Sequence, residues 1–327
     1  MSTGEPEPGA DGGVATADPR PAGGTGGKVK RRAGDVVFSG TSLFSGVLIL
    51  LILALVAIFL VWQGLPALTA PAEEISGGNG FWSYVWPMLL GTVVASVVAL
   101  LLATPVAVGI ALFVSHYAPR RIGRTIGFVI DLLAAVPSVV FGMWGLFVFA
   151  PRLVPLLDWL EANLGFLPFF ADSSATGRTL MTASVVLAVM ILPIITSVSR
   201  EVFLQTPRLH EEAALALGAT QWEMIRTAVL PFGGPGVIGG VMLGLGRALG
   251  ETMAVAIILS PGVFTWNLIG TGNNTIPAEI ALNFPEAAGL RLSELIAAGL
   301  VLFLLTLAVN LVARWIVERR AEFSGAN

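Results

Sequence analysis

Residues 42–62, SLFSGVLILLILALVAIFLVW, contain no charged side chain. About 20 consecutive apolar residues suffice for an α-helix to cross the hydrocarbon of a bilayer. In that solvent a helix satisfies every backbone N–H and C=O within its own segment. Such a run therefore dictates a membrane helix. Five further apolar segments follow, at about 85–115, 126–150, 179–199, 233–260 and 292–316. The whole chain is only 12% charged, about half the fraction of a soluble domain. The expectation is an all-α integral membrane protein with six transmembrane helices. Pro105, Pro137 and Pro193 fall inside three of the segments, which predicts a kinked bundle.

Basic residues in short loops orient such a bundle. Lys28, Lys30, Arg31 and Arg32 precede the first segment, and Arg120, Arg121 and Arg124 follow the second. Arg200, Arg208 and Arg226 follow the fourth; Arg314, Arg319 and Arg320 flank the end of the sixth. The alternate loops hold only Arg152, Arg178 and Arg291. Every second loop is thus expected in the cytoplasm, with both termini inside. Residues 1–34 are rich in Gly, Pro and small polar residues and are expected to be a disordered cytoplasmic tail. The first apolar run starts too late and is too long for a cleavable signal. Residues 35–320 form the transmembrane domain, and 321–327 a short cytoplasmic tail. Outside, 153–170 reads as an interfacial amphipathic helix with Asp158 and Glu161 on its polar side. The loop 263–290 contains the turn-rich GTGNN. Either stretch serves as plain connection or as a docking surface for an external partner.

The chain has no cysteine, so disulfides and thiol ligands are excluded. His116 and His210 sit far apart in charged loops and read as solvated or interfacial rather than as metal ligands. Short basic clusters between apolar segments follow membrane topology; no nucleic-acid-binding face is expected.

The loop REVFLQTPRLHEEAALALGATQWEMIRTAVLPF, residues 200–232, mixes both charge signs with helical periodicity. EEAALALGA forms helix readily up to Gly218, where a sharp turn is permitted. A second short helix, about 220–228, leads to Pro231, where a new helix is able to start. The arrangement resembles the EAA loop of bacterial ABC importer permeases, E-A-A-x3-G-x9-I-x-L-P. Glu212, Ala213, Ala214, Gly218, Leu230 and Pro231 match it, and Ala228 stands where the pattern has Ile. The resemblance implies a type I ABC importer permease fold in which this loop docks an ATPase subunit through Glu212 and the small alanines. The chain itself has no P-loop: GGTGGKV lacks the leading Gly at Ala22 and the Ser/Thr at Val29. ATP and magnesium are expected on a separate ATPase, with no cofactor in this chain.

Arg247 is the one basic residue deep within an apolar segment, GLGRALGETM, and Glu251 follows four residues later. On a continuous helix the two share a face. With entry near residue 233, Arg247 lies ~21 Å along the helix, near the bilayer midplane. One reading is a structural ion pair, although Arg-before-Glu is the poorer helical order. The other is an anion path. A guanidinium matches an oxyanion, and a carboxylate beside it accepts the proton of hydrogen phosphate, which sulfate lacks. Gly239, Gly240, Gly244, Gly246, Ala248 and Gly250 leave room for close helix packing, for a passing solute, or for both.

GLGRALGETMAV is similar to the fifth-helix segment of Pst phosphate importer permeases, most of all their C-type subunit (PstC type). IDLLAAVPSVVFG, residues 130–142, resembles their third-helix segment, and the likeness extends over about 42–320. It implies a role for Arg247 and Glu251 in translocating inorganic phosphate across the bacterial inner membrane. It also implies a second permease (PstA type), an ATPase pair (PstB type) and an external phosphate-binding protein (PstS type). Asp131 reads as an acid at the helix N-terminus, complementing its dipole, or as part of a gate. A sister PstA-type permease and a permease for another oxyanion stay open. A stand-alone secondary transporter would need inverted repeats, and none is evident. An intramembrane enzyme would need an acid–base or metal constellation that the apolar segments do not show.

Overall fold

A computed structural model describes residues 33–262 and 265–323. The expected tail up to residue 32, with Lys28, Lys30, Arg31 and Arg32, and residues 324–327 lie outside them. The chain divides into two units, residues 1–54 and 55–327. The described part of the first is the N-terminal portion of α1 (Ala33–Thr69), an uninterrupted apolar helix apart from Asp35. The second unit holds the rest of the chain.

Twelve α-helices follow one another among the described residues. Six spans are long and apolar enough to cross a membrane: Val37–Thr69, Phe81–Tyr117, Ser138–Leu164, Leu180–Leu204, Gln221–Leu249 and Leu290–Trp315. The expected number holds, but the third span lies further along the chain than expected. The segment 126–150 is two helices, α3 (Arg120–Ala134) and α4 (Ser138–Trp144). Pro137 separates them, itself extended with ψ near 139°, and the residue before a proline disfavours the helical region, so α3 ends ahead of it. α3 is amphipathic: Gly123, Gly127 and Ile130 are buried, while Arg121, Arg124 and Phe128 are exposed. α5 (Ala150–Leu164) continues from α4 through a π-turn. The expected interfacial helix at 153–170 is therefore the end of the third span.

A second π-turn, Ile225–Val229, joins α8 (Gln221–Met224) to α9 (Leu230–Leu249). These two and the π-turn Phe113–Tyr117 each precede a proline by two residues: Pro151, Pro231 and Pro119. A proline has no N–H for the carbonyl four residues back, and a π-turn absorbs the mismatch within the helix. The short helix expected at 220–228 is thus continuous with the fifth span. Pro105 and Pro193 lie inside unbroken helices, α2 (Phe81–Leu112) and α6 (Leu180–Leu204).

α2, α6 and α9 form the centre. Ala95, Ala99, Ala103 and Ala107 of α2 are all at most 1% exposed and share a cluster with Leu187, Ile191 and Ile195 of α6. Alanines one turn apart let the two backbones approach closely. α9 runs antiparallel to α6. A Cβ on Gly236 would meet Val202, one on Gly240 would meet Val198, and one on Gly244 would meet Ile195. Gly239 and Gly246, on another side of α9, have nothing within 4 Å.

That division makes the two glycine sets respond in opposite ways. Gly236→Ala forces a Cβ to 2.5 Å from Val202 Cγ2 and costs about 1–3 kcal/mol of overpacking. Gly239→Ala gains up to about 1 kcal/mol of helix propensity. Thermal unfolding of the detergent-solubilised protein is expected to show a lowered midpoint for the first and an unchanged or raised one for the second.

Candidate functional site

The fifth apolar segment does not run unbroken to residue 260. α9 ends at Leu249, and α10 (Met253–Ile258) starts after a gap of three residues. Gly250 terminates α9 with φ −95° and ψ 0°, where a residue without a side chain lowers the cost of leaving the helix. Thr252 Oγ1 donates to the Gly250 carbonyl at 3.0 Å, a local bond that competes with helix continuation. The Glu251 carboxylate accepts from the Ala254 N–H at 3.2 Å and so caps the start of α10. Its far end is capped by an arginine 80 residues away in sequence. Arg178 donates from Nε to the Ile258 carbonyl (3.2 Å) and from Nη2 to the Leu259 carbonyl (2.7 Å). The tight pairs Gly142–Ala254 and Gly145–Ile258 hold α10 against α4 and its π-turn.

Arg247 occupies the last turn of α9, where its charge complements the carboxyl end of the helix. The antiparallel register with α6 puts it level with Ile191 and Leu192, the centre of that span. Arg247 and Glu251 do not share a helical face, because the helix ends between them. No ion pair joins them among the described residues. The ion-pair reading fails here because the carboxylate is engaged at α10. Arg247 Nε is buried without a hydrogen-bond partner, while its neighbours Gly246 and Gly250 are exposed. An unpaired guanidinium at mid-membrane costs at least about 2.5–3.5 kcal/mol. Water or an anion would lower that cost.

Glu251 lines a crevice too tight for water, with Thr92, Leu187, Thr275 and Pro277. α11 (Ile276–Asn283) forms part of that wall, and the Ile276 N–H donates to Thr92 Oγ1 at 3.0 Å. α11 is held to α12 (Leu290–Phe323) by Arg291, which pairs with Glu279 and Glu294 at 2.7 Å each. These outer residues support the break, and most lie far from it in sequence. The Gly-Glu-Thr stretch was the one local sign of the interruption. Nothing near Arg178 in sequence marks it as the cap of α10.

The second part is the 200–232 loop. α7 (Arg208–Ala216) carries Glu212 and Ala213 exposed, with Leu209 75% and Leu217 91% exposed beside them. Ala214 turns inward against a cluster of Phe203, Met224, Ile225 and Val229. Gly218 has φ +86°, a left-handed turn that suits glycine. Thr220 and Glu223 then form a reciprocal capping box that starts α8. Leu230 and Pro231 open α9, so the motif residues 212–218 and 230–231 bracket one turn. α7 is tied back to α2 through His116, whose Nε2 lies 3.5 Å from Glu211 Oε1, and Gln221 Nε2 donates to the His116 carbonyl at 2.8 Å. The His116 side chain is only 8% exposed, so it is a buried connector rather than a solvated loop residue; His210 is exposed.

Asp131 lies in the last turn of α3, not at a helix N-terminus. The dipole reading is therefore reversed, and the acid is instead held by α6. Ser197 Oγ donates to it at 3.2 Å, and Arg200 Nη2 is 4.0 Å away. No group of three or more metal-ligating side chains occurs among the described residues.

Residues 104–322 match the family described as "Binding-protein-dependent transport system inner membrane component". The protein is 47% identical over 299 residues to "Phosphate transport system permease protein PstC 2" of Mycobacterium tuberculosis, covering 86% of this chain and 91% of the relative. It is 46% identical to the PstC permease of Mycobacterium leprae over 280 residues, or 81% and 88% of the two chains. Among solved structures, a bacterial alginate ABC transporter bound to a periplasmic protein carrying an alginate pentasaccharide has a similar fold. Its TM-score is 0.57 at 18% identity, covering 88% of this chain and 98% of that one. The chain belongs to the family of inner-membrane components of binding-protein-dependent transport systems, alongside the PstC permeases.

Proposed function

We propose that this chain is the C-type permease subunit of an ATP-driven importer of inorganic phosphate and forms half of its translocation pathway. The observation that carries the reading is Arg247, a guanidinium without an ion pair at a helix break level with the centre of α6. Relatives named as phosphate permeases, 46–47% identical, support phosphate as the anion. The other half of the path comes from a homologous PstA-type permease. A PstB-type ATPase pair supplies ATP hydrolysis, and a PstS-type binding protein delivers phosphate from outside. The charge distribution supports both termini and the 200–232 loop in the cytoplasm.

α7 presents Glu212, Ala213 and the exposed Leu209 and Leu217 to the ATPase. From Pro231 the same continuous helix reaches Arg247, about 24 Å away at helical rise. A tilt imposed on the loop when the ATPases close therefore moves Arg247 directly. The guanidinium attracts the phosphate dianion through charge-assisted hydrogen bonds. In the observed arrangement Glu251 holds the start of α10 with Oε1, and its second oxygen accepts the phosphate proton when the anion arrives.

Arg247→Ala is expected to lower phosphate uptake about 10- to 100-fold, the equivalent of losing about 1.5–3 kcal/mol of charged hydrogen bonding. Membrane level and ATPase assembly are expected to stay normal. Uptake at the wild-type rate removes the assignment. Glu251→Gln keeps an oxygen for the Ala254 cap but loses the charge, so sulfate is expected to compete more strongly for uptake. Glu251→Ala also loses the cap and is expected to lower stability by about 1 kcal/mol. Competition assays and thermal unfolding on the two variants separate selection of the proton from support of α10.

A further inference from the structure

A cavity of about 450 Å³ lies at the end of the bundle that carries α7, and neither the pathway nor the ATPase contact uses it. Arginines from three elements line it: Arg124 of α3, Arg200 of α6 and Arg208 at the start of α7. His116, Thr206 and Glu211 complete its polar wall. The compensating charge is insufficient. Glu211 faces His116, and Asp131 reaches only Arg200, at 4.0 Å. Arg124 and Arg208 are exposed at its mouth and have no ion pair among the described residues. Arg200 Nε and Thr206 Oγ1 are buried without a hydrogen-bond partner, and Thr206 as a whole is 5% exposed.

Buried donors rarely go unmet in native structures. Water is able to accept from them, but it leaves the excess positive charge in place. An anion with several oxygens does both. Donors converging from three helices suit a tetrahedral oxyanion better than a planar carboxylate with two oxygens. Arginine is also the side chain best matched to phosphate.

We propose that this cavity is a second oxyanion site, facing the cytoplasm and taking a phosphate-class dianion. Its occupant bridges Arg208 to Arg124 and Arg200 and so holds α7 against α3 and α6. The effect on coupling rests on the reading of α7 as the contact with the ATPase; the binding does not. Phosphate accumulated inside the cell would then restrain the element that drives its own import. Free phosphate and the phosphate of an anionic lipid headgroup share the required chemistry.

The chain has no cysteine, which permits a direct test. Leu204 lines the cavity and is 62% exposed, so Leu204→Cys supplies a thiol at its edge. The assembled transporter is placed in phosphatidylcholine nanodiscs, and modification of that thiol by a soluble maleimide is timed with and without inorganic phosphate. A phosphate concentration about ten times its dissociation constant is expected to slow the reaction about tenfold. The slowing is expected to vanish in Arg124→Gln/Arg208→Gln and to persist in Arg247→Ala. Persistence there separates this site from the pathway, so either assignment is able to fail alone. Slowing that depends instead on adding phosphatidylglycerol to the nanodiscs, and is lost in the same double variant, identifies the lipid headgroup as the occupant. If neither anion slows modification, or slowing is equal in the double variant, the site does not exist.

Discussion

A helix that stops in the middle of a bilayer leaves backbone carbonyls on one side and N–H groups on the other, with no lipid partner for either. That constraint governs the centre of this protein. Gly250 closes α9, Glu251 takes the Ala254 N–H in the first turn of α10, and Arg178 takes the carbonyls at its end. The residues just before α10 and one distant arginine are thereby committed to one short helix of six residues. Arg247 stands at the carboxyl end of α9 with its Nε unpartnered and no ion pair among the described residues. The local structure thus engages the carboxylate at α10 and leaves the arginine unneutralised, which is the basis of the proposed anion path.

The same helix that ends in this break begins at the coupling loop. α8, the π-turn and α9 run on without a break from the loop to Arg247, which is the route for the proposed coupling. α9 packs closely on α6 through glycines, and Gly239 and Gly246 leave its other side open. The buried His116 ties α7 to the end of α2, and the arginine-lined cavity sits beside that tie. The proposed drive, restraint and substrate contact thus all fall on α9 and its two ends.

The number of spans and the EAA loop were legible because each depends on local composition and spacing. Apolar runs identify spans wherever they occur, and the motif's glycine marks a left-handed turn. What escaped depends on partners far away in sequence. α3 has an apolar half that reads as the start of a span, and only α6, with Arg200 laid over Gly127, explains why it packs as an amphipathic helix instead. Asp131 stands next to apolar residues whichever end of α3 it occupies; Ser197 and Arg200 reveal its role. The segment 233–260 is apolar apart from Arg247, Glu251 and a few small polar residues, so averaged hydropathy passes over the break at residues 250–252. Its caps were invisible for the same reason: a carboxylate three residues from an N–H is an ordinary pattern, and Arg178 resembles any basic loop residue.

The account stands on Arg247 facing an aqueous path. Gly246 is its exposed neighbour, with space for a side chain, whereas Ala248 is 4% exposed. Gly246→Cys in the assembled transporter is the direct probe, with Ala248→Cys as the buried reference. A membrane-impermeant thiol reagent is expected to modify Gly246→Cys, more slowly when phosphate is present and at a rate that changes on ATP binding. A thiol at residue 246 as inert as that at 248 in every nucleotide state would mean that no water reaches Arg247, and the proposed pathway would be wrong.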